Sequence, residues 1–335
     1  MNANDTVLVL GASGGIGGET ARQLARAGWQ VRAMKRGLAA ATVDADGIAW
    51  IAGDAMNRAD VARAARGCAV IVHAVNPPGY RDWDRLVLPM LDNTIAAAGE
   101  NGALVVLPGT VYNYGPDAFP VIAEDAPQHP VTRKGQLRVR MEAALQAHAD
   151  RGGRALIVRA GDFFGPRAGN NWFAQGLVKP GKAVARIANP AAPGVGHQWA
   201  YLPDVAATMV ALIERRGELA PFARFHMNGH WDPDGTAMSA AIARVVGRHG
   251  GRATVGAFPW WLVRLATPFN ETLRELWEMR YLWRQPVRLD NARLVDVLGA
   301  EPHTPLDVAV ERTLAGLGCL PSGTSAPRGI QSMVS

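Results

Sequence analysis

Through its first third the chain alternates short, unbroken apolar runs with longer stretches whose apolar residues recur at helical spacing. Val7-Leu8-Val9-Leu10 is the first such run, and the lack of polar alternation marks a strand buried on both faces. It enters Gly11-Ala12-Ser13-Gly14-Gly15-Ile16-Gly17-Gly18, after which residues 19–27 read as a helix closed by Gly28. A second strand is predicted over 30–34, a third over 48–55, a helix over 58–66 and a fourth strand over 69–75. Asn76-Pro77-Pro78-Gly79 then breaks the chain, as a loop at the carboxyl edge of a sheet does. A helix over 82–98, with Leu86, Met90, Ile95 and Ala98 turned inward, leads to a fifth strand over 103–107. This alternation predicts an α/β fold, a doubly wound parallel sheet of the Rossmann type.

The glycine turn carries the first candidate chemistry. Strand, turn and helix together make the opening half of a nucleotide-binding βαβ unit. Gly11 permits the tight turn, Gly14 lets the backbone approach a pyrophosphate, and Gly17 lets the helix pack on the strand. Ser13, Gly15 and Ile16 complete the turn, whose helix N-terminus offers N–H groups to phosphates. An NAD-binding unit keeps an acid at the end of the second strand for the adenosine ribose. Here Lys35 and Arg36 stand there and no acid follows before Asp44, so NADP is preferred over NAD, with Arg36 on the extra phosphate. The alternative is that both are solvated surface charges. Ligands bind outside the strand ends of such sheets, which places Ser13, Arg36, Asp54, His73, Ala74, Gly109 and Thr110 around one crevice.

The rest of the chain adds organisation more than chemistry. From Gly165 onward Pro, Gly, Asn and Trp become frequent, and Asn170-Asn171-Trp172-Phe173 can line a pocket or simply pack. Residues 1–165 are read as the NAD(P)-binding domain and 166–320 mainly as the substrate lobe, with 197–225 returning to the sheet. Asp204 is read as the N-cap of a helix running to Glu214. Trp260-Trp261 and residues 273–283 read as aromatic helices capping the pocket, with a dimer face or membrane-surface contact as the sharper alternative. Two closing helices are expected over 290–298 and 305–314, and residues 321–335 read as a mobile tail.

Composition narrows the classes. Of 335 residues, 48% are hydrophobic, enough for a large core, and no apolar run approaches the ~18 residues of a membrane span. No secretory segment is visible at the N-terminus, so a cytoplasmic protein is expected. Cys68 and Cys319 make neither a disulfide framework nor a cysteine metal site. His226 and His230 are separated by Asn228-Gly229 and lack an evident third ligand, so no metal is expected. The net charge of +6 is mostly arginine spread along helices, which speaks for no nucleic acid and for a small-molecule partner; no membrane partner is expected, and a homodimer stays open.

With these residues in view, the chain from Val7 to about Leu317 resembles the extended short-chain dehydrogenase/reductase family, the NAD-dependent epimerase/dehydratase group. Gly11-x-x-Gly14-x-x-Gly17 is similar to its cofactor turn, Gly53-Asp54-Ala55 to its adenine-contacting strand end, and His73-Ala74 to the segment beside the nicotinamide ribose. Leu107-Pro108-Gly109-Thr110-Val111-Tyr112-Asn113-Tyr114-Gly115 resembles the strand end that carries the catalytic Ser/Thr, which implies Thr110 in that role. Residues 156–166 resemble the sixth strand with its Gly-Pro exit, and 197–206 the late segment ending in Asp-Val-Ala. The Tyr-x-x-x-Lys pair of the family is absent. Aligned on Gly135 and Glu142, Lys134 falls at the tyrosine position and Arg138 at the lysine position.

Two readings stay open. In one, Arg138 holds the ribose while Lys134, or else Tyr112 or Tyr114, handles the proton, a lysine desolvated beside Arg138 having a lowered pKa. In the other, Arg133, Lys134, Arg138 and Arg140 are a solvated basic face, opposite a buried stripe of Leu137, Met141, Ala144 and Leu145. The function expected is hydride transfer on a small carbonyl, alcohol or sugar-like substrate, as an oxidoreductase or an epimerase/dehydratase-like enzyme. The alternative is a catalytically silent NAD(P)-binding sensor.

Overall fold

The first strand, β1 (Thr6–Leu10), is fully covered on both sides. Val7 and Val9 enter one hydrophobic core and Leu8 and Leu10 another, which is why the run shows no alternation. A computed structural model of the chain describes residues 5–77, 83–168, 171–269 and 271–320. Pro78 and Gly79, residue 82 at the start of the predicted third helix, Asn170 and the predicted tail over 321–335 lie outside the described residues.

Eight strands form the main sheet: β1, β2 (Gln30–Lys35), β3 (Thr42–Val43), β4 (Ala49–Ala52), β5 (Val70–His73), β6 (Leu104–Gly109), β8 (Arg154–Arg159) and β12 (Phe222–His226). Their order is β12-β8-β6-β5-β1-β2-β4-β3, and every pairing is parallel except that of β3 with β4. The chain runs outward from β1 through β2 and then crosses to β5 on the other side of β1. The crevice of a doubly wound sheet therefore opens between β1 and β5. Helices α1 (Gly15–Arg26) and α5 (Leu202–Glu214) pack together on one face. The other face carries α2 (Arg58–Ala65), α3 (Trp83–Asn101) and α4 (Arg133–Asp150), whose apolar residues share one core with β1 and β6.

A third core gathers Phe164, Phe173, Trp199, Tyr201 and Trp283 outside the main sheet. Around it lie β9 (Asp162–Phe164), β11 (His197–Tyr201) and β13 (His230–Asp232), which form a three-stranded sheet. Two-stranded pairs join β10 (Arg186–Asn189) to β14 (Thr254–Ala257), and β7 (Val121–Ile122) to β15 (Arg288–Leu289). The remaining helices are α6 (Ala237–Arg248), α7 (Trp260–Ala266), α8 (Glu271–Glu278), α9 (Ala292–Leu298) and α10 (Leu306–Gly316). Within 197–225, only β12 reaches the main sheet; β11 pairs with β9 and β13. Among the described residues no helix is long and apolar enough to cross a membrane.

Several local expectations are corrected. The first helix begins at Gly15, not Glu19, because its glycines let it sit against its neighbours: a Cβ on Gly17 would lie 2.4 Å from the Gly11 carbonyl oxygen. Propensity alone counts glycine against a helix, and packing overrides it here. The third strand ends at Ala52, leaving Asp54 and Ala55 in the following turn. Asp204 is not an N-cap. Tyr201 holds that place, Pro203 lies in the first turn, and the Asp204 carboxylate accepts bonds from the Thr304 N–H and hydroxyl, each 2.7 Å. Trp172 and Phe173 are packing residues, with Phe173 buried against Phe164 and Trp172 against Phe258, Trp260 and Trp283.

Candidate active site

The glycine turn sits at the crevice between β1 and β5. Gly11 has φ +86°, and a Cβ there would lie 2.4 Å from the Ala74 carbonyl oxygen, so both conformation and space demand glycine. The Ala74 N–H donates to the Leu10 carbonyl at 2.9 Å, which fastens the two strand ends together. Gly14 is the N-cap of α1, no side chain caps it, and the first turn holds no acid. Gly15 and Ile16 thus begin a helix whose N-terminus is free to face an anion, with Ser13 exposed beside it.

Arg36 is exposed just beyond the end of β2. The first acid after it, Asp44, is committed: its carboxylate accepts from the Asp46 and Ile48 N–H groups and from the Trp50 indole at 2.8 Å. The Asp44 carboxylate is therefore turned to its own loop. Asp54 accepts the Met56 N–H at 3.0 Å, and its own N–H donates to Asp60. Ala55 beside it is buried.

His73 closes β5 and is buried. Its Nδ1 lies 2.8 Å from the Thr94 hydroxyl, which itself donates to the Met90 carbonyl at 3.0 Å. The hydroxyl proton is thus spoken for, so Nδ1 carries the imidazole hydrogen and Nε2 keeps a lone pair. That Nε2 is buried, with no hydrogen-bond partner among the described residues. Burial, helped by the Arg138 charge, pulls the imidazole down to about 3 and keeps it neutral.

The catalytic candidates are placed by α4. Thr132 caps the helix by accepting the Gly135 N–H at 3.1 Å. Gly135 then lies so near the preceding segment that a Cβ would be 2.2 Å from the Tyr112 carbonyl oxygen. This contact brings α4 against the turn that Thr110 begins, where Thr110 accepts the Tyr112 N–H at 3.4 Å. Arg138, one turn after Lys134, reaches back to the Pro108 carbonyl at 3.5 Å and lies over the Trp83 ring at 5.3 Å.

Lys134 is not on a solvated face. It is buried, and its ammonium pairs with Glu275 of α8 at 3.1 Å. Burial pulls it below the usual lysine range, and the Glu275 and Glu278 carboxylates oppose that pull. The depressant is desolvation rather than the neighbouring Arg138. Arg133 and Arg140 are exposed, while Leu137, Met141 and Leu145 are buried as the stripe predicted. Glu275 had no signal in the sequence, since it comes from a helix more than a hundred positions away.

Tyr114 is withdrawn from proton chemistry. It is fully buried, its hydroxyl accepts from Arg159 at 2.7 Å and meets His226 Nε2 at 3.2 Å, and burial pushes it up to about 12. Arg159 in turn forms a buried ion pair with Glu142. Beside Val111 lies a recess lined by Gly161, Asp162, His197, Gln198, Leu282 and Val287. In it His197 Nε2 meets Asp162 at 2.8 Å, and the imidazole stacks on Trp283 with centroids 3.6 Å apart. Both residues fell inside quoted sequence motifs, but only the β9–β11 pairing shows that they meet. His226 and His230 do not share a site. His230 instead lies near Asp204 and His303, with ligand atoms within 4.8 Å of one another, although both Asp204 oxygens already serve Thr304. Cys68 and Cys319 are free, buried thiols.

The profile of the NAD dependent epimerase/dehydratase family matches residues 7–223. The chain belongs to that family. Among solved structures it is similar to UDP-glucose 4-epimerase from Brucella ovis in complex with NAD, at 16% identity over 94% of this chain and 98% of that one, TM-score 0.72. It is also similar to MoeE5 in complex with UDP-glucuronic acid and NAD, at 17% identity over 93% and 98% of the two chains, TM-score 0.68. A third likeness is to UDP-glucose-4-epimerase from Stenotrophomonas maltophila with bound NAD and formylated UDP-arabinopyranose, at 14% identity over 93% and 97%, TM-score 0.70. At these identities the likeness concerns the fold. No curated protein matches the chain significantly.

Proposed function

We propose that this family member is an NADP(H)-preferring hydride-transfer enzyme acting on a small carbonyl, alcohol or sugar-like substrate, with Lys134 in the proton-transfer role that a tyrosine fills in the family. The observation that carries the reading is the close approach of α4, at Gly135 to Tyr112 and at Arg138 to Pro108, to the segment that holds Thr110, with Lys134 buried in the first turn of that helix. Family membership, and the likeness to solved structures in complex with NAD, support a nicotinamide cofactor. The residues present fit it: an uncapped helix N-terminus for the diphosphate, the bare Nε2 of His73 for a hydroxyl, and Arg36 for a 2′-phosphate. When bound, the nicotinamide supplies or takes up the hydride.

In this reading residues 1–165 hold the cofactor, and residues 166–320 mainly supply the substrate lobe. Thr110 donates a hydrogen bond to the substrate oxygen. Lys134 gives that oxygen a proton as a carbonyl is reduced, and takes it back in the reverse direction. Arg138 holds a positive charge beside the ribose. The Glu275 ion pair is the observation that favours a second reading, a silent NAD(P)-binding sensor, because it holds the lysine in place without substrate.

The test begins with fluorescence titration of NADPH and NADH. Tighter binding of NADPH is expected, with the preference lost in Arg36→Ala; an unchanged preference there refutes the phosphate contact. A screen of carbonyl and sugar-like substrates, followed by NADPH absorbance, then separates the two readings. For any substrate found, Lys134→Ala is expected to lower kcat by about a hundredfold or more while NADPH binding is kept. Cofactor binding with no turnover across the screen supports the sensor.

A further inference from the structure

The Trp260-Trp261 pair is divided by the fold. Trp260 turns inward and packs on Trp172, Phe258 and Trp277. Trp261 turns outward and is 65% exposed, Leu262 is 48% exposed, Leu265 is 66% exposed, and Phe269, in the turn after α7, is 90% exposed. At about 100° per residue Trp261, Leu262 and Leu265 fall within one quadrant or so of the helix, opposite buried Val263. Scattered exposed apolar residues need no explanation, whereas a contiguous aromatic and aliphatic stripe does.

Charge around the stripe is sorted. Two acids of α8 are engaged at Lys134: Glu275 pairs with the buried ammonium, and Glu278 also acts on it. Arg264 and Arg284 are exposed, and Arg280 is half-buried. Arg264 lies on α7, and Arg280 and Arg284 follow α8; among the described residues none of the three has an acidic partner. They are close enough that, beyond its own burial, Arg280 is pulled below the usual guanidinium range by Arg284 and Arg264. Arg280 lies over the Trp260 and Trp277 rings at 5.6 and 4.7 Å. An apolar stripe flanked by unneutralised arginines is complementary to one kind of surface, acyl chains beneath anionic headgroups. A second copy of this chain would bring the same arginines face to face.

We propose that the stripe Trp261–Leu262–Leu265–Phe269, with Arg264, Arg280 and Arg284, is a docking surface for an anionic lipid bilayer. The protein lies on the membrane through α7 and the turn after it, apolar groups entering the acyl boundary and guanidinium groups resting on lipid phosphates. This stands independently of the catalytic reading, since none of these residues is assigned to the active site.

The experiment is co-sedimentation of the full chain with vesicles of phosphatidylcholine alone or mixed equally with phosphatidylglycerol. Binding to the mixed vesicles and little to the neutral ones is expected. Trp261→Ser combined with Phe269→Ser should weaken the partitioning by about tenfold or more. Arg264→Glu combined with Arg284→Glu should abolish the preference for anionic lipid. Circular dichroism and NADPH titration check that each variant is folded. The proposal is overturned if the wild-type chain stays in the supernatant with mixed vesicles, or if neither double variant changes its partitioning. It is equally overturned if the serine double variant alters only a dimer seen by sedimentation velocity.

Discussion

Lys134 shows how one residue takes its chemistry from its surroundings. Its ammonium has been removed from water, which favours the neutral amine, and faces Glu275, which favours the charged form. The two effects oppose, and burial is the larger. Removing the carboxylate in Glu275→Gln should therefore lower the lysine further. Because the reductive direction needs a protonated donor, the alkaline limb of kcat/KM is expected to move to lower pH in that variant. A pH–rate profile measured on NADPH oxidation checks it, and a limb that stays or moves upward contradicts Lys134 as the donor. Arg138 holds its charge under all such conditions, so it suits a binding role rather than proton transfer.

At the scale of elements, α4 matters because the proposed catalytic side chains of Lys134 and Arg138 both hang from it. Its N-terminus is set by the Thr132 cap and the close approach at Gly135, and its middle is tied to β8 by the buried Glu142–Arg159 pair. Gln128 donates to the same carboxylate at 3.0 Å, and Tyr114 and His226 share the guanidinium. Glu142→Gln leaves a buried guanidinium without its counter-charge, and a loss of about 3–5 kcal/mol in unfolding free energy is expected. Thr132→Ala removes only a cap and should cost about 1 kcal/mol. Urea unfolding of the two variants tests the ranking: equal losses would mean that the ion pair is not what anchors the helix.

At the scale of the whole molecule, His73, His226 and His230 stand as neutral groups of the interior. Burial holds His73 down to about 3 and His226 to about 2, against about 6.5 when unfolded. The unfolded chain thus binds protons that the folded chain refuses once pH drops below about 6.5. Their contribution is present above that value and is lost progressively as pH falls toward about 3. In that window each histidine removes up to about 1.4 kcal/mol per pH unit. Melting temperatures should fall steeply from pH near 6 to pH near 4, and a flat profile there would show that these imidazoles are hydrated.

Local pattern alone determined the alternation of strands and helices, and the glycine turn with its place at the crevice. Each of these depends on neighbours in the chain: strand burial on two faces leaves an apolar run, and a tight turn under a helix needs glycine. Arg36 without a rival acid was legible too, although only the structure shows Asp44 tied up by Trp50 and two backbone groups. Tertiary structure alone decided the rest. It paired Lys134 with Glu275, buried Tyr114 on Arg159, joined Asp162 to His197, and turned Trp260 inward and Trp261 out. Such facts concern residues brought together from distant parts of the chain, and desolvation, which sets their chemistry, depends on what surrounds a group in space rather than on what adjoins it in sequence.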